Sequence, residues 1–380
     1  MDKRKILWYC LFGLLIIVLA VVVSLSGIWI KYKIMDYEAI SVEPDSRDYS
    51  TYYNSLNYKD QLLYNSVVDA ATEIADESEI LNYSYDMEVF MNVVGCIRAD
   101  RPELFYVDFE ALVLQHSNHK TKVGMVYLEE QDVITDMIAK YDDAVDSAME
   151  KVLPSMTDYE KELTINDYLL DHCRYAPGER QQISSTAYGA LVLGEAYCDG
   201  YAYAAKQLLD KAYIDSVIIY GETEGAMHVW NMVQIEGQYY HLDVMWNDAD
   251  IGDENKLRFH GYFNLSDDVI KLDHKYENKD IIPYAVSDVN YYKKTGCYAE
   301  TAEGIEEVLY NQLKLAVEQK REYIELLCPE TKSSEDIEAP YMAALKRVNE
   351  ELGSDVLYEV FSIYDATARD NSITIQIFYN

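Results

Sequence analysis

Bases are scarce in this 380-residue chain: 32 Lys and Arg stand against 67 Asp and Glu, for a formal net charge of -35. Residues 1–35 hold one acid and five bases, so the remainder stands at -39. No stretch after residue 35 gathers Lys and Arg among aromatics, which excludes the basic footprint that nucleic-acid binding requires. Cysteine is also sparse. The six cysteines include no Cys-x-x-Cys pair, so neither a zinc knuckle nor a redox dithiol is expected. Asp248, Asp250, Asp253 and Glu254 invite a calcium reading but miss the EF-hand spacing, and in so acidic a chain they read as a solvated loop. No metal or cofactor is expected. Tyr is the residue in excess, at 36, spread over the whole chain. Its apolar body and polar tip suit half-buried packing, and also a carbohydrate- or peptide-binding surface.

Residues Ile6–Ile30 form one uncharged apolar run, longer than the roughly 20 residues that span a bilayer core. Lys3, Arg4 and Lys5 precede it, and Trp8, Tyr9 and Trp29 sit near its ends, as for a cytoplasmic basic flank with interfacial aromatics. The reading is a signal-anchor over residues 1–35, with the N-terminus cytoplasmic and the bulk extracellular. The competing reading is a cleaved secretory signal, against which stand the length of the run and the lack of an Ala-x-Ala site. Cys10 lies in the span. The other five cysteines are odd in number, so at least one exported thiol stays unpaired.

Beyond the anchor the chain reads as α+β in three modules. Residues 36–155 mix helical runs (Gln61–Ile74, Val133–Val152) with strand-like stretches (Leu112–Gln115, Val123–Leu128). Thr157 and Glu160 look like a capping box that opens a central domain over 156–289. Residues 290–380 read helix, strand, helix, strand, strand, with Ile305–Gln319 and Ala339–Leu352 helical and Ser372–Tyr379 alternating. That last module carries no convergent polar motif and no assigned chemistry.

The chemistry concentrates in the centre. Tyr197-Cys198-Asp199-Gly200-Tyr201-Ala202 opens a helical run, which puts Cys198 at a helix N-terminus where unpaired N–H groups and the dipole favour a thiolate. A small buried cysteine is the ordinary alternative. His228-Val229-Trp230-Asn231 and Tyr240-His241-Leu242-Asp243-Val244-Met245-Trp246 read as two strands about a Glu236-Gly237 turn. With a two-residue loop, Ile235 pairs with Gln238, His228 lies opposite Met245 and Trp230 opposite Asp243. His228 and Asp243 are then diagonal neighbours on one face, within reach of a hydrogen bond. A carboxylate on one imidazole nitrogen leaves the other to take a proton from a thiol. His241 lacks an evident carboxylate partner, and His172 next to Cys173 precedes a loop, so both fit the role of base less well.

Those pieces, with Ala187-Tyr188-Gly189-Ala190-Leu191 before them and Asn247-Asp248, Tyr262-Phe263-Asn264 and Asp273-His274 after, make Leu163–His274 resemble the transglutaminase-like domain of exported bacterial proteins, related to the papain fold. Arg101-Pro102-Glu103-Leu104-Phe105-Tyr106 resembles a segment found upstream of such domains in Gram-positive proteins. The resemblance implies a Cys-bearing helix packed on an antiparallel sheet, with Cys198 as nucleophile, His228 as general base and acid, and Asp243 as its orienting partner. Tyr197, Gly200, Trp230 and Trp246 are the expected substrate-binding positions, Gly200 by allowing close approach of a substrate backbone. Val229 replaces the family's usual Ala, and Met245 its usual Thr; Met245, opposite His228, would narrow the cleft. The expected function is thiol acyl transfer on amide bonds of peptide or protein substrates, cell-wall peptide included, by hydrolysis or by cross-linking. The alternative is a non-catalytic surface binding or scaffold protein on the same fold.

Overall fold

The computed structural model describes residues 51–380, apart from 118, 177, 179, 250–256, 278–280, 287–290, 332–334, 353–356, 366–371 and 380. The apolar run Ile6–Ile30 lies outside the described residues, as do Asp250, Asp253 and Glu254 of the acidic loop. Among the described residues no helix is long and apolar enough to cross a membrane.

Helices α1 (Tyr58–Thr72) and α2 (Met87–Asp100) start at Asn57 and Asp86, whose side chains accept backbone N–H groups of the first turn. They pack with the hairpin β1 (Val113–Ser117) and β2 (Lys120–Gly124) and with α3 (Gln131–Met149). In α4 (Asp158–His172) the capping box is complete: Thr157 accepts from the Glu160 backbone, and Glu160 accepts from the Thr157 N–H at 2.8 Å.

Helix α5 (Cys198–Lys211) lies on a four-stranded antiparallel sheet built from β3 (Ser216–Thr223), β4 (Ala226–Ile235), β5 (Gln238–Leu242) and β6 (His274–Tyr276), in the order β6-β3-β4-β5. The sheet face under α5 carries Ile218, Asn231 and Val233, all buried, which the register Ile218↔Asn231 and Ser216↔Val233 sets on one side. Asn231 ties strand to helix by donating to the Ala202 carbonyl at 3.0 Å. The β4–β5 turn is Glu236-Gly237, both with φ positive, at 53° and 79°. That is the two-residue geometry that matches strand twist, and the ladder runs from Ile235↔Gln238 to Asn231↔Leu242 as the spacing predicts.

The boundary expected at residue 155 does not divide the hydrophobic interior. One continuous apolar core runs from Tyr52 to Ala285. Tyr52 donates to the Ile218 carbonyl of β3 at 2.6 Å, and Phe105 packs between Tyr141 and Tyr188, each 4.8 Å away by ring centroid. The Arg101–Tyr106 segment is therefore an internal fastener. A second core holds α6 (Ile305–Gln319), α7 (Glu335–Leu352) and an antiparallel sheet of β7 (Tyr323–Leu327), β8 (Leu357–Asp365) and β9 (Ser372–Tyr379), ordered β7-β9-β8.

Candidate functional site

Cys198 is the first residue of α5, and the Tyr197 side chain does not cap that helix end. Five cysteines lie among the described residues. Four are buried and Cys198 alone is partly exposed, so the accessible thiol is the one at the helix N-terminus.

His228 projects from β4, and on one side its imidazole interacts with the Cys198 side chain. On the other, its Nε2 donates to Asp243 Oδ2 at 2.5 Å, which leaves Nδ1 for the thiol. Burial pushes the imidazole down, but Asp243 and Cys198 outweigh it and raise it to about 10. Burial pushes the Asp243 carboxyl up, yet His228 and His274 hold it well below the usual carboxylate range. The structure thus brings Cys198, His228 and Asp243 together around one buried imidazole.

Asp243 reaches His228 by a route different from the expected ladder. Strand β5 stops at Leu242, because the chain at Tyr262–Leu265 takes up its outer edge: His241 exchanges two backbone bonds with Leu265, and the Asp243 N–H donates to the Tyr262 carbonyl. Asp243 then caps a single helical turn, Val244–Asn247, with Oδ1 accepting from the Trp246 N–H at 3.1 Å. Trp230 therefore has no ladder partner in Asp243. His228 pairs with Gly221 of β3, and Met245 sits on the helical turn against the main core, not opposite His228.

The four expected substrate positions divide. Trp230 is only 1% exposed and stacks on His228 with centroids 5.8 Å apart, so it backs the imidazole from inside the protein. Gly200 is buried as well. A Cβ there would lie 2.6 Å from the Ser184 carbonyl oxygen and 2.8 Å from Ala196 Cβ, so the missing side chain admits the protein's own loop rather than a substrate. Tyr197 is buried beneath the Arg180 guanidinium, 5.3 Å from its ring centre. Trp246 is half-buried, edge-on to His228 and to His274 at 6.0 and 4.9 Å.

Sequence reasoning missed two histidine partnerships. His241 has a carboxylate after all: its Nε2 donates to Asp267 Oδ1 at 3.1 Å, while Nδ1 accepts from Trp230 Nε1 at 3.0 Å. Burial holds that ring below its ordinary value. His274, on β6, places Nε2 3.1 Å from Asp243 Oδ2 and Nδ1 2.5 Å from Asp273 Oδ1. The pair Asp273-His274 was visible as a family-like dipeptide, but nothing local tied it to Asp243. His228, Asp243 and His274 each offer a metal-ligating atom within 4.8 Å of the others, and in the structure those atoms are hydrogen-bonded among themselves.

Beside Asp199, the residue after Cys198, a cleft of about 690 Å³ opens between α2, the 102–111 loop and α5. Arg98, Arg180, Phe109 and Tyr203 line it. Arg180 and Arg98 converge on Asp199 Oδ2 at 2.6 and 3.4 Å; burial pushes that carboxyl up against their pull.

Comparison with known proteins places these residues in context. Residues 146–244 match the model of the transglutaminase-like superfamily. No curated protein sequence matches the chain. Among solved structures, a candidate cysteine protease from Cytophaga hutchinsonii is similar at 12% identity and a TM-score of 0.25, over 35% of this chain and 61% of that one. A TGase is similar at 12% and 0.26, over 39% and 46%, and a candidate protease from Parabacteroides distasonis at 11% and 0.22, over 40% of each chain. This chain thus spans less than two thirds of each, and likenesses so slight do not bear on activity.

Proposed function

We propose that this chain, whose residues 146–244 form a transglutaminase-like domain, is a membrane-anchored extracytoplasmic enzyme that transfers acyl groups from amide bonds of peptides or proteins to its Cys198 thiol. The observation that carries the reading is the single imidazole of His228, which interacts with the Cys198 side chain and is hydrogen-bonded to Asp243 at 2.5 Å. An oriented Cys–His pair at a helix N-terminus is the arrangement that activates a sulfur nucleophile.

In the first step Cys198 Sγ forms a bond to the amide carbon, and backbone N–H groups at the start of α5 receive the negative charge on the oxygen. His228 then gives its Nδ1 proton to the amide nitrogen, the C–N bond breaks, and an amine or ammonia leaves a thioester behind. In the second step His228 takes a proton from the incoming nucleophile, which attacks the thioester carbon and releases Cys198. Water as that nucleophile gives hydrolysis. A primary amine gives a cross-link. Asp243 stays ionised throughout and holds the ring. The cleft beside Asp199 offers room for the flanking part of a peptide, and the run Ile6–Ile30 supplies the anchor.

The test is turnover of a glutamine-peptide library by the full chain, with and without a primary-amine probe, beside Cys198→Ala. Ammonia release or amine incorporation that Cys198→Ala abolishes is the expected result. Peptide binding without turnover in either protein would favour the non-catalytic surface protein.

A further inference from the structure

Two buried histidines, His241 and His274, lie with ring centroids 6.2 and 5.0 Å from that of Trp230, and their hydrogen bonds demand different proton counts. His241 Nδ1 accepts from Trp230 Nε1, so its one N–H is on Nε2, facing Asp267. His274 meets a carboxylate oxygen at each nitrogen, Asp273 Oδ1 at 2.5 Å and Asp243 Oδ2 at 3.1 Å. An ionised carboxylate only accepts, so a ring with a single N–H would set a lone pair against a lone pair on one side. Trp246, Tyr262 and His228 pack around the ring at centroid distances of 4.9 to 5.5 Å, and His274 is 1% exposed. Asp273 is itself fixed, with Oδ2 accepting from the Tyr262 hydroxyl at 2.8 Å.

We propose that His274, held by Asp273 and carrying a proton on both ring nitrogens, is a positioning residue for the reaction of Cys198: it pins Asp243 Oδ2 against His228 Nε2. The inference rests on the Cys198–His228 reading of the site. The order Cys198, His228, Asp243, His274, Asp273 then alternates in charge when thiolate and imidazolium form, and each group satisfies the next. Asp243 Oδ2 accepts from both imidazoles, while Oδ1 accepts from the Trp246 N–H, so the carboxylate cannot rotate without losing a donor. The charged groups facing His274 are Asp243, Asp273 and His228, with His241, its partner Asp267 and the Lys271 that pairs with Asp267 behind. His274 touches neither the thiol nor the substrate; it acts through Asp243.

The experiment has two parts on the full chain. In a histidine-15N spectrum near neutral pH, the His274 ring, assigned by its loss in His274→Gln, is expected to show two protonated nitrogens; a ring with one N–H overturns the proposal. Iodoacetamide labelling of Cys198 at about pH 6 is then compared among the unaltered chain, His228→Ala, His274→Gln and Asp273→Asn. His274→Gln is expected to label at least about tenfold more slowly than the unaltered chain, one pKa unit of lost stabilisation, with Asp273→Asn in between and its melting temperature held. Labelling of both variants at the unaltered rate overturns the positioning role. If the unaltered chain labels as slowly as His228→Ala, the Cys–His reading itself has failed. Asp273→Asn and the spectrum keep the test decisive should His274→Gln not fold.

Discussion

Asp243 meets His228 at 2.5 Å from one residue beyond the end of its strand. Because it caps the Val244–Asn247 turn, the carboxylate is anchored by a backbone N–H on one oxygen and by imidazoles on the other. Replacing Asp243 with Asn puts an amide where two N–H donors converge, so at least one donor loses its acceptor. Turnover is expected to fall by at least about 10²-fold, the usual scale for losing oriented acid–base catalysis. Steady-state kinetics of Asp243→Asn on a substrate found with the unaltered chain measures this, and unchanged kinetics would contradict the orienting role.

Gly200 gives a prediction about stability. Its absent side chain leaves room for the Ser184 carbonyl and Ala196. Gly200→Ala forces backbone apart beside Cys198 and is expected to cost about 1–3 kcal/mol, as overpacking does. Urea unfolding reads it directly; an unchanged midpoint would mean the loop moves freely aside.

Glu162 predicts a pH dependence of unusual sign. It is fully buried on α4, accepts from Asn264 Nδ2 at 2.8 Å, and its Oε1 has no hydrogen-bond partner among the described residues. Burial pushes the carboxyl up to about 8 from the ordinary 4.5, against the opposing pull of Asn264 and Lys294. Between those values the folded chain holds a proton that the unfolded chain has released, so stability falls as pH rises from about 4.5 through about 8. Glu162→Gln removes that dependence. Unfolding midpoints at the two ends of the window should diverge for the native chain more than for the variant, and equal slopes would refute the buried proton.

His260 joins the central domain to the last module. Its Nδ1 meets Glu325 Oε2 of β7 at 2.7 Å and its Nε2 meets Asp167 Oδ1 of α4 at 2.9 Å, with Tyr291 stacked at 3.9 Å. Burial pushes the ring down, but Glu325 and Asp167 raise it to about 10. The bridge therefore contributes fully below the unfolded value near 6.5 and is lost as pH rises through about 10. Glu325→Gln breaks a buried charge pair and should cost roughly 3 kcal/mol. Unfolding at neutral pH tests the size, and a loss that persists unchanged above pH 10 would contradict the charged bridge.

Much of this was legible in local sequence. The Thr157–Glu160 capping box, the helix Ile305–Gln319, the strand Ser372–Tyr379 and the Glu236-Gly237 turn each carry their signal within a few residues, and the β4–β5 register followed from the turn alone. What was not legible depends on distant chain. Strand β5 ends early because Tyr262–Leu265 lies along it, which moved Asp243 and Met245 out of the ladder. Gly200 and Trp230 flank the site in sequence, yet the 182–186 loop and the sheet bury them. His274 joined Asp243 only through the pairing of β6 with β3, and no spacing within the dipeptide could have announced it.

The central claim is that Cys198 and His228 act as one nucleophilic unit, and the most direct measurement is the rate of iodoacetamide labelling at Cys198 across pH, mapped by mass, in the unaltered chain and in His228→Ala. With the imidazole held charged to about pH 10, the account predicts labelling that persists down to about pH 6 and a His228→Ala profile that loses this acid limb. Labelling of both proteins only above about pH 8, the range of an ordinary thiol, would contradict it.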